Sequence, residues 1–349
     1  MSLTLTVDGE RWRRHLRTVA DQTPGLVPVA KGNGYGFGLG RLARRAQWLG
    51  VDTLAVGTYH ELPEVMQRFD GDLLVLSPWR PTEADLPDSL PTKRVVHTVS
   101  RLVDLLALLE CQPDARVVLE RMTSMRRHGM TADELRSAAK LLERRTRTVE
   151  GVAFHLPLAA GAHLTEVVGL VNDVVASGLS TRQLWVSHLT PAELTSLRTS
   201  YADFEVRPRI GTDLWLGDRG ALRVTATVLD VHKVERGDIF GYRGRAAPKA
   251  GHILVVSGGT AHGIGLEAPT GDHSLRARAA TLARGGLDAV GFVRSPFTVD
   301  GKQRLFAEPP HMQASMLFLP HGPRVPAVGD EVDVRVRFTA TTFDRVTTS

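Results

Sequence analysis

One lysine stands where a side chain could take part in covalent or proton-transfer chemistry. Lys31 directly follows an apolar run, residues 26–30, and opens a glycine-rich turn, residues 32–38. The chain has six lysines, and the other five lie in polar segments typical of a protein surface. An amine held at the end of a buried strand loses part of its hydration, which favours its neutral form and makes it a nucleophile or a base. Lys31 is therefore the candidate reactive group.

The elements that would position Lys31 recur through the first two thirds of the chain. Short apolar runs alternate with segments of helical spacing, as at Leu102, Leu105 and Leu109. Eight strand–helix units over about 200 residues are typical of a TIM-type (β/α)8 barrel. A doubly wound open sheet fits the same alternation, because periodicity does not show barrel closure. The eight runs that predict buried parallel strands are 26–30, 53–56, 73–76, 95–98, 116–120, 149–154, 183–186 and 204–206.

After about Val224 the pattern changes to alternating Val- and Thr-rich segments separated by Gly and Pro. Segments 224–234, 252–256, 314–319 and 331–338 predict strands. The N-terminal segment 3–7 alternates in the same way and is a candidate to join them. The sequence therefore predicts an α/β protein in which a (β/α)8 barrel over 8–223 is followed by a mainly β C-terminal domain. That domain would comprise 224–349 together with the N-terminal strand 1–7.

Polar and charged side chains gather just after the predicted strands. Because the carboxyl ends of the strands share one face of a (β/α)8 barrel, these side chains are expected to meet there. Each has a structural alternative: His155 could be a core histidine, Arg127 a surface charge, and 34–38 a simple turn. Together they predict an active site, in which the turn 209–212 could hold an anion at a helix start. The residues are Lys31, Arg127, His155, Ser187, His188, Thr190, Arg209, Gly211 and Thr212.

Composition narrows the classes of function. No apolar run approaches the ~18 residues of a membrane span. The N-terminus carries no signal-peptide pattern and Cys111 is the only cysteine, so we expect a cytoplasmic protein without internal disulfides or a cysteine zinc site. The formal charge is +5, but basic residues are interleaved with acidic ones. That pattern favours a solvated surface over nucleic-acid binding.

The segment around Lys31 resembles a known signature. Val29-Ala30-Lys31-Gly32-Asn33-Gly34-Tyr35-Gly36-Phe37-Gly38 is similar to the Lys-x-Asn-x-Tyr-Gly-x-Gly motif of pyridoxal-phosphate-dependent alanine racemases, the fold-type III group. In that family the lysine forms a Schiff base with the cofactor, which stabilises a carbanion beside an amino group. The resemblance covers nearly the whole chain in order. It implies pyridoxal 5'-phosphate as the cofactor and Lys31 as the lysine that binds it.

The same resemblance implies roles for further residues of the barrel. Residues 123–129 resemble the family segment around an arginine that binds the substrate carboxylate, which implicates Arg127, and Met312 would lie near the same carboxylate. His155 falls where the family has a histidine on the sixth strand, from which it would link the second base to the pyridine-side arginine. Arg209 falls where an arginine faces the pyridine nitrogen. The resemblance implies that the phosphate is held by Tyr35, Thr190, Gly211 and Thr212.

A second catalytic base is implied in the C-terminal domain. Residues 237–242 resemble the family's Gly-x-x-Val-Ser-Tyr, and Tyr242 is the only tyrosine after residue 223. In the family this tyrosine comes from the partner subunit, so the resemblance implies a homodimer with shared active sites. Lys31 and Tyr242 would act on opposite faces of a small amino acid, as inversion requires. The function implied is the interconversion of L- and D-alanine.

Several positions depart from the family pattern. A tyrosine and two aspartates of the family are replaced by Thr260, His262 and Gln313. The family's C-terminal phosphate-binding tyrosine is absent. Its modified lysine is absent as well, and Glu120 or Arg121 lies near that position. Because these changes surround the predicted mouth of the pocket, they leave the substrate less defined than the reaction.

Two alternative functions stay open at this point. One is another barrel-type pyridoxal enzyme, either a D-amino-acid lyase or aldolase or an amino-acid decarboxylase. Metal-using lyases would need a His/Cys or His/Asp pair, where this chain has His311 and Gln313, and decarboxylases usually carry an acid where it has Arg209. The other is a non-catalytic pyridoxal-binding or regulatory protein, and small carriers of that kind lack the second domain that holds Tyr242.

Overall fold

The computed structural model describes residues 2–83, 92–145, 149–158, 163–266, 293–322 and 324–349. Contacts between Cα atoms divide the chain into two compact units. The barrel unit is Arg13–Gly217, and the β unit combines Met1–Trp12 with Asp218–Ser349. The domain boundaries given above, 8–223 and 224–349, stay predictions.

The barrel unit is a closed ring of eight parallel strands. The ring closes where the first and last of them pair, with Val27 opposite Arg209 and Pro28 opposite Ile210. This pairing excludes the open-sheet alternative, so the predicted (β/α)8 barrel is confirmed. In chain order the strands are β2 (Val27–Ala30), β3 (Thr53–Val56), β4 (Asp72–Val75), β5 (Val95–Val99), β6 (Arg116–Arg121), β7 (Gly151–His155), β8 (Gln183–Ser187) and β9 (Glu205–Ile210).

Helices alternate with these strands along the chain. Their apolar positions recur at helical spacing, and in α2 the buried residues are Leu39, Leu42, Ala43, Ala46 and Leu49. The apolar side of α2 thereby packs against β2. The described helices are α1 (Gly9–Gln22), α2 (Leu39–Leu49), α3 (Leu62–Met66), α4 (Leu102–Cys111), α5 (Ala132–Arg144), α6 (His163–Ser177), α7 (Pro191–Ser200) and α8 (Thr212–Leu216).

Small and branched apolar side chains fill the barrel. β2 and β3 are buried at all four positions, as expected for parallel strands covered on both faces. One buried cluster draws a residue from nearly every strand: Val27, Val29, Ala55, Leu74, Val96, Val118, Ala153 and Trp185. The barrel is therefore a packed core, and its chemistry is confined to the strand ends.

The eighth barrel strand is longer than its apolar run. The sequence predicts a strand over 204–206, whereas β9 runs from Glu205 to Ile210. The difference arises because Arg207 and Arg209 are both buried in the strand. Arg207 is accommodated by two hydrogen bonds to Asp52 and one to Thr53 Oγ1 at 3.0 Å. Arg209 therefore lies within β9 and not in the turn that follows it.

The β unit is a mostly antiparallel sheet, as predicted for the C-terminal domain. Its described strands after the barrel are β10 (Leu222–Val234), β11 (Ile239–Phe240), β12 (Arg245–Ala246), β13 (Gly251–Ser257), β14 (Arg294–Val299), β15 (Lys302–Phe306), β16 (Ala314–Pro320), β17 (Glu331–Val334) and β18 (Arg345–Thr348). With the N-terminal strand β1 (Leu3–Val7), the described strands of the main sheet lie in the order β13-β16-β15-β14-β17-β10-β1-β18, and β13 also pairs with β10. The N-terminal strand β1 (Leu3–Val7) is antiparallel to β10 and parallel to β18. A separate hairpin joins β11 and β12.

Candidate active site

The carboxyl ends of the barrel strands bring several ionisable side chains to one end of the barrel. Lys31 directly follows β2, and His155 is the last residue of β7. Glu120 and Arg209 are the penultimate residues of β6 and β9. Because all eight strands are parallel, these ends form one mouth, which is where TIM barrels carry their functional groups. The elements predicted from the sequence therefore place these four residues at a common site.

Lys31 is an amine whose basicity is reduced by its surroundings. Loss of hydration lowers the pKa of Lys31, and the positive charges of Arg127 and Arg209 lower it further. The carboxylate of Glu61 acts in the opposite direction. The Lys31 side chain is nevertheless exposed to solvent at the mouth of the barrel. Lys31 is thus accessible to a ligand, and a larger fraction of its amine is neutral, and able to act as a base or nucleophile, than in an ordinary surface lysine.

Glu61 is the carboxylate that fixes the loops beside Lys31. Its Oε1 accepts a hydrogen bond from the Gly32 amide at 2.8 Å, and its Oε2 accepts one from the Gly57 amide at 2.6 Å. These bonds join the turn after β2 to the turn after β3. Sequence reasoning missed Glu61, although Thr58 three residues earlier forms the Thr-x-x-Glu pattern of a helix start.

Arg209 is a buried cation. Its Nη2 donates to the Phe154 carbonyl at 3.0 Å, whereas its Nε has no hydrogen-bond partner among the residues that the structure describes. Burial lowers the pKa of Arg209 to about 10, with the Glu120 carboxylate acting against that shift. The guanidinium therefore stays protonated at neutral pH and keeps an N–H available for a ligand.

Glu120 is an acidic residue that interacts electrostatically with these cations. Its side chain is buried, and its Oε2 has no hydrogen-bond partner within the described part of the chain. Burial raises the pKa of Glu120, while Arg209, Arg127 and Arg80 lower it. Glu120 therefore lies within electrostatic range of both arginines that the resemblance assigns to the cofactor and the substrate. The sequence marked its position only as the counterpart of a modified lysine.

His155 is held in its neutral form. Burial lowers the pKa of His155 to about 3, with further lowering by Arg209, Arg127, His188 and Lys31. Its ring lies 5.1 Å, centroid to centroid, from that of His188. The Nδ1 of His188 must carry a proton, since it donates to the Leu156 carbonyl at 2.8 Å. The mouth thus holds the neutral imidazoles of His155 and His188 beside the charges of Arg127 and Arg209 and the amine of Lys31.

Tyr35 and Gly211 meet at the entrance of α8. Tyr35 is buried and has a φ of 54°, a left-handed conformation that a non-glycine residue adopts at a cost. A Cβ atom at residue 211 would collide with the Tyr35 hydroxyl, so glycine is required for this approach. Burial raises the pKa of Tyr35 to about 12, which keeps its hydroxyl a hydrogen-bond donor. Gly211 precedes Thr212 at the start of α8 without a side-chain cap.

Trp215 is a positioning residue that sequence reasoning missed. Its Nε1 donates to the Val29 carbonyl at 2.7 Å, and the whole side chain is buried. This bond connects α8 to β2, the strand that ends at Lys31. A buried tryptophan needs a hydrogen-bond acceptor for its N–H. That requirement is the feature of the sequence that could have pointed to a contact of this kind.

Thr190 and Arg127 are placed differently from the residues above. Thr190 caps α7: its hydroxyl donates to Glu193 at 2.8 Å and accepts from the Glu193 amide at 3.3 Å. A cofactor role for Thr190 therefore stays a prediction, and its hydroxyl already has a structural one. Arg127 is exposed in the turn after β6, yet its charge acts on Lys31, His155 and Glu120. Arg127 therefore acts on the residues of the mouth through its charge.

The β unit carries a second cluster around Tyr242. The Tyr242 side chain is 86% exposed, and its ring lies 4.8 Å from that of His311. The buried carboxylate of Glu308 accepts a hydrogen bond from the Tyr242 amide at 2.9 Å and pairs with His311 Nε2 at 2.6 Å. Glu308 therefore holds the backbone of the tyrosine and the histidine beside it, and leaves the phenol open to solvent.

Met312 belongs to the same cluster. It follows His311 and is 70% exposed. The amides of Thr260 and Ala261 donate to the carbonyls of His311 and Met312 at 2.8 and 3.0 Å. His262 is buried and pairs through Nε2 with Asp344 at 3.1 Å. The replacement of the family aspartate by His262 therefore creates an internal contact, while Thr260 lies beside the segment that carries Met312.

Comparison with known protein families identifies the family of this chain. Residues 7–202, more than half of the chain, match the family model described as alanine racemase, N-terminal domain. The chain belongs to this family. A curated alanine racemase from Nitratiruptor sp. is 28% identical over 146 residues, which are 41% of this chain and 40% of that protein. The chain therefore aligns with less than half the length of that relative, and low identity makes it a divergent member.

Solved structures share the fold over the full length. The alanine racemase from Bartonella henselae, crystallised with covalently bound pyridoxal phosphate, aligns with a TM-score of 0.74 at 15% identity and covers 100% of both chains. That from E. faecalis aligns at 0.72 and 19% identity over 99% of this chain and 98% of its own. A histidine racemase from Leuconostoc mesenteroides aligns at 0.67 and 16% identity, over 99% and 97%. At these identities the likeness concerns the fold.

None of the helices described is long and apolar enough to cross a membrane. Among the described side chains, no group of three or more His, Cys, Asp or Glu residues could hold a metal ion. Cys111 is exposed at the end of α4, away from the strand ends.

The protonation state of His155 can be measured directly. In the folded protein without added cofactor, we expect the imidazole to stay neutral on acidification to about pH 4, because burial and nearby cations hold its pKa near 3. In urea the same ring should titrate near its ordinary pKa of about 6.5. Nuclear magnetic resonance of protein with ¹⁵N-labelled histidine, assigned with His155→Gln, gives both values. A folded-state midpoint above pH 5.5 would contradict this electrostatic description.

Proposed function

We propose that this protein is a pyridoxal-phosphate-dependent amino-acid racemase, an isomerase that interconverts the L and D forms of a small amino acid, with alanine the favoured substrate. One observation carries the proposal. Lys31, with its lowered pKa, lies at the carboxyl end of β2 in electrostatic range of Arg209, Arg127 and a neutral His155. Membership of the alanine racemase family supports it.

The side chains at the mouth suit the three reactive parts of pyridoxal phosphate. An accessible amine of lowered pKa, Lys31, suits the aldehyde. The Tyr35 hydroxyl and the uncapped start of α8 at Gly211 and Thr212 offer donors to a phosphate. Arg209 keeps an unpartnered, buried N–H that suits the pyridine nitrogen. When bound, the cofactor stabilises negative charge on the carbon beside the substrate amino group.

Lys31 is proposed as the base for one face of the substrate. Proton transfer at the substrate Cα requires a neutral amine to accept the proton and an ammonium to return it. Partial loss of hydration increases the neutral fraction of Lys31, and the neighbouring guanidinium groups increase it further. Glu61 limits that shift and fixes the adjoining turns, so the amine stays in one place between the two transfers.

Tyr242 of the partner subunit is proposed as the base for the opposite face. This proposal requires a homodimer with shared sites and a phenol that is free at the surface of the single chain. The 86% exposure of Tyr242 and the fixing of its backbone by Glu308 agree with that requirement. Two bases on opposite faces allow a proton to leave from one side of Cα and be replaced from the other, which inverts the centre.

Arg209 favours racemisation over other reactions of the same cofactor. Its pKa of about 10 means that it holds its own proton at neutral pH and does not transfer it readily to a pyridine nitrogen. A carboxylate at this place would keep that nitrogen protonated and draw charge away from Cα. Arg209 leaves more of the charge at Cα, where Lys31 or a phenol returns a proton quickly.

The substrate carboxylate is assigned to Arg127, with Met312 of the partner subunit alongside. Arg127 is exposed and could form the paired hydrogen bonds that a guanidinium makes with a carboxylate. Glu120 acts on it through its buried carboxylate and is proposed as a positioning residue. Thr260 and Gln313, which replace larger or charged family residues, bear on the choice of substrate. A structural neighbour that is a histidine racemase makes this choice a matter for experiment.

The experiment that tests the function is an incubation with single L-amino acids. Purified protein supplemented with pyridoxal phosphate is mixed with each of a panel that includes alanine, serine, histidine and glutamate, and the products are separated by chiral chromatography. We expect the D enantiomer to form, fastest from alanine, and the reaction to approach an equimolar mixture. Release of carbon dioxide, or cleavage of the substrate without any D product, would contradict the proposal. The proposed cytoplasmic location has no bearing on this assay.

The role of Tyr242 predicts an asymmetric variant. In Tyr242→Phe, exchange of the Cα proton into deuterated water should persist for one enantiomer of the substrate and fall by at least ~100-fold for the other, because a general base contributes about 10²–10⁴-fold. Proton magnetic resonance follows both exchanges. Tyr201→Phe is the matched control, since Tyr201 lies on the barrel and its hydroxyl bonds to Asn172. Equal exchange from both enantiomers in Tyr242→Phe would remove it as a base.

A further inference from the structure

The tyrosine proposed as the second base lies at the tip of a hairpin. Tyr242 is the second residue of the turn 241–244 between β11 and β12, and the Gly244 amide closes this turn by donating to the Gly241 carbonyl at 3.2 Å. An exposed side chain on a turn exchanges rapidly between rotamers, whereas a catalytic group must be held within about 0.5 Å of its productive position. The role proposed for Tyr242 therefore requires a neighbour that restricts its ring.

Glu308 anchors the backbone of this turn. Its buried carboxylate accepts a hydrogen bond from the Tyr242 amide at 2.9 Å. Gly241 has a φ of 72°, and a Cβ atom there would collide with that carboxylate, so glycine is required for the close approach. Arg245 Nη1 donates to the Ala307 carbonyl at 3.1 Å and ties the second strand of the hairpin to the residue before Glu308. These bonds fix the main chain of the turn and do not reach the phenol.

His311 contacts the tyrosine ring itself. The centroids of the His311 and Tyr242 rings lie 4.8 Å apart with an angle of 54° between their planes, within the range of favourable aromatic pairs. The imidazole is held in turn, because its Nε2 lies 2.6 Å from Glu308 Oε1. An ionised carboxylate only accepts hydrogen bonds, so His311 Nε2 carries the proton and donates it to this bond. Glu308 thereby fixes the orientation of the imidazole.

The main chain of His311 is fixed as well. Its amide donates to the carbonyl of Ala314, the first residue of β16, at 2.9 Å. Its carbonyl accepts from the Thr260 amide at 2.8 Å. His311 is therefore anchored through backbone and side chain, whereas Tyr242 is anchored through backbone alone among the bonds named here. A fixed ring beside a mobile one reduces the number of rotamers open to the mobile ring.

We propose that His311 is a positioning residue for Tyr242: Glu308 orients the imidazole, and the imidazole restricts the phenol to the rotamer from which it serves as a base. This inference rests on the proposed function, because it concerns the second base of that reaction. Glu308 has two parts in the arrangement, since one oxygen holds the turn and the other holds the imidazole. His311 acts through Tyr242 and not on the substrate, so its loss should affect one face of the substrate only.

His311→Ala in the holoenzyme tests this inference. Exchange of the Cα proton of L- and D-alanine into deuterated water is followed by proton magnetic resonance. Exchange at the face served by Tyr242 should fall roughly 10- to 100-fold, because displacing a reacting group by about 1 Å can cost ~100-fold. Exchange at the other face should persist, because Lys31 is the base there. His311→Phe, which keeps a ring beside the phenol, should recover part of the lost rate.

A double variant shows whether His311 acts through the phenol. Exchange at the affected face should be no slower in His311→Ala combined with Tyr242→Phe than in Tyr242→Phe alone, because a positioning residue has no effect once the group that it positions is gone. A further loss in the double variant would overturn the inference. Equal slowing at both faces in His311→Ala would overturn it too, as that result indicates a general disturbance of the protein.

Magnetic resonance of the tyrosine rings gives a second readout that needs neither substrate nor cofactor. The chain has four tyrosines, so protein labelled with ¹³C in these rings gives few signals, and Tyr242→Phe assigns the signal of Tyr242. In His311→Ala this signal should move and narrow toward that of a freely rotating tyrosine. An unchanged signal would overturn the inference even in a protein that racemises alanine.

His232→Ala is the matched control, because His232 also faces a carboxylate, with 3.4 Å between its Nε2 and Asp230 Oδ2, but is exposed on β10. It should leave both exchanges and the Tyr242 signal as in the unaltered protein. Unaltered exchange at both faces in His311→Ala would overturn the positioning role alone. If the unaltered protein exchanges neither enantiomer, the proposed function fails, and the ring signal then decides whether His311 restricts Tyr242.

Discussion

Repulsion between cations at the mouth of the barrel is the interaction on which the proposed chemistry depends. Lys31, Arg127 and Arg209 come from different strand ends and act on one another over a short distance. Burial is the largest cause of the lowered pKa of Lys31 and of the neutral state of His155, and the repulsion between these cations adds to both effects. Glu120 is the buried carboxylate that opposes this repulsion at Arg209. Without Glu120, β6 would place no negative charge near the guanidinium groups of Arg127 and Arg209.

The closed barrel makes that arrangement rigid. β2 ends at Lys31 and pairs with β9, which carries Arg209, so the amine and the guanidinium are linked by strand pairing. Trp215 ties α8 to β2, and Glu61 ties the turn after β2 to the turn after β3. Each bond fixes backbone and not the reactive groups themselves. The side chains at the mouth therefore keep hydrogen-bonding groups available for a ligand, while internal hydrogen bonds hold the main chain around them.

Local sequence patterns were sufficient to predict the barrel. The run at 26–30 and the turn after it located both β2 and Lys31, because a buried parallel strand needs continuous apolar residues. The eighth strand was predicted too short, since Arg207 and Arg209 interrupt its apolar pattern and their partners, Asp52 and Phe154, are distant in sequence. Glu61, Glu120 and Trp215 depend on similar long-range contacts.

The two units present different candidate residues because their architectures differ. Parallel strands bring the Lys31 cluster together at one end of a barrel, whereas the antiparallel sheet presents Tyr242 and Met312 on turns at its surface. Glu308 contributes twice to this surface, since one carboxylate oxygen accepts from the Tyr242 amide and the other pairs with His311. The family match covers residues 7–202 and so rests on the barrel, which is where the lysine motif lies.

The most direct test of the central claim is to find which lysine binds the cofactor. The protein is incubated with pyridoxal phosphate, reduced with borohydride so that the link becomes permanent, digested and analysed by mass spectrometry. The chain has only six lysines, so each can be scored separately. The account predicts the added mass on the peptide that contains Lys31 and its loss in Lys31→Ala, with the other five unmodified. Labelling of another lysine instead, or no labelling at all, would contradict it.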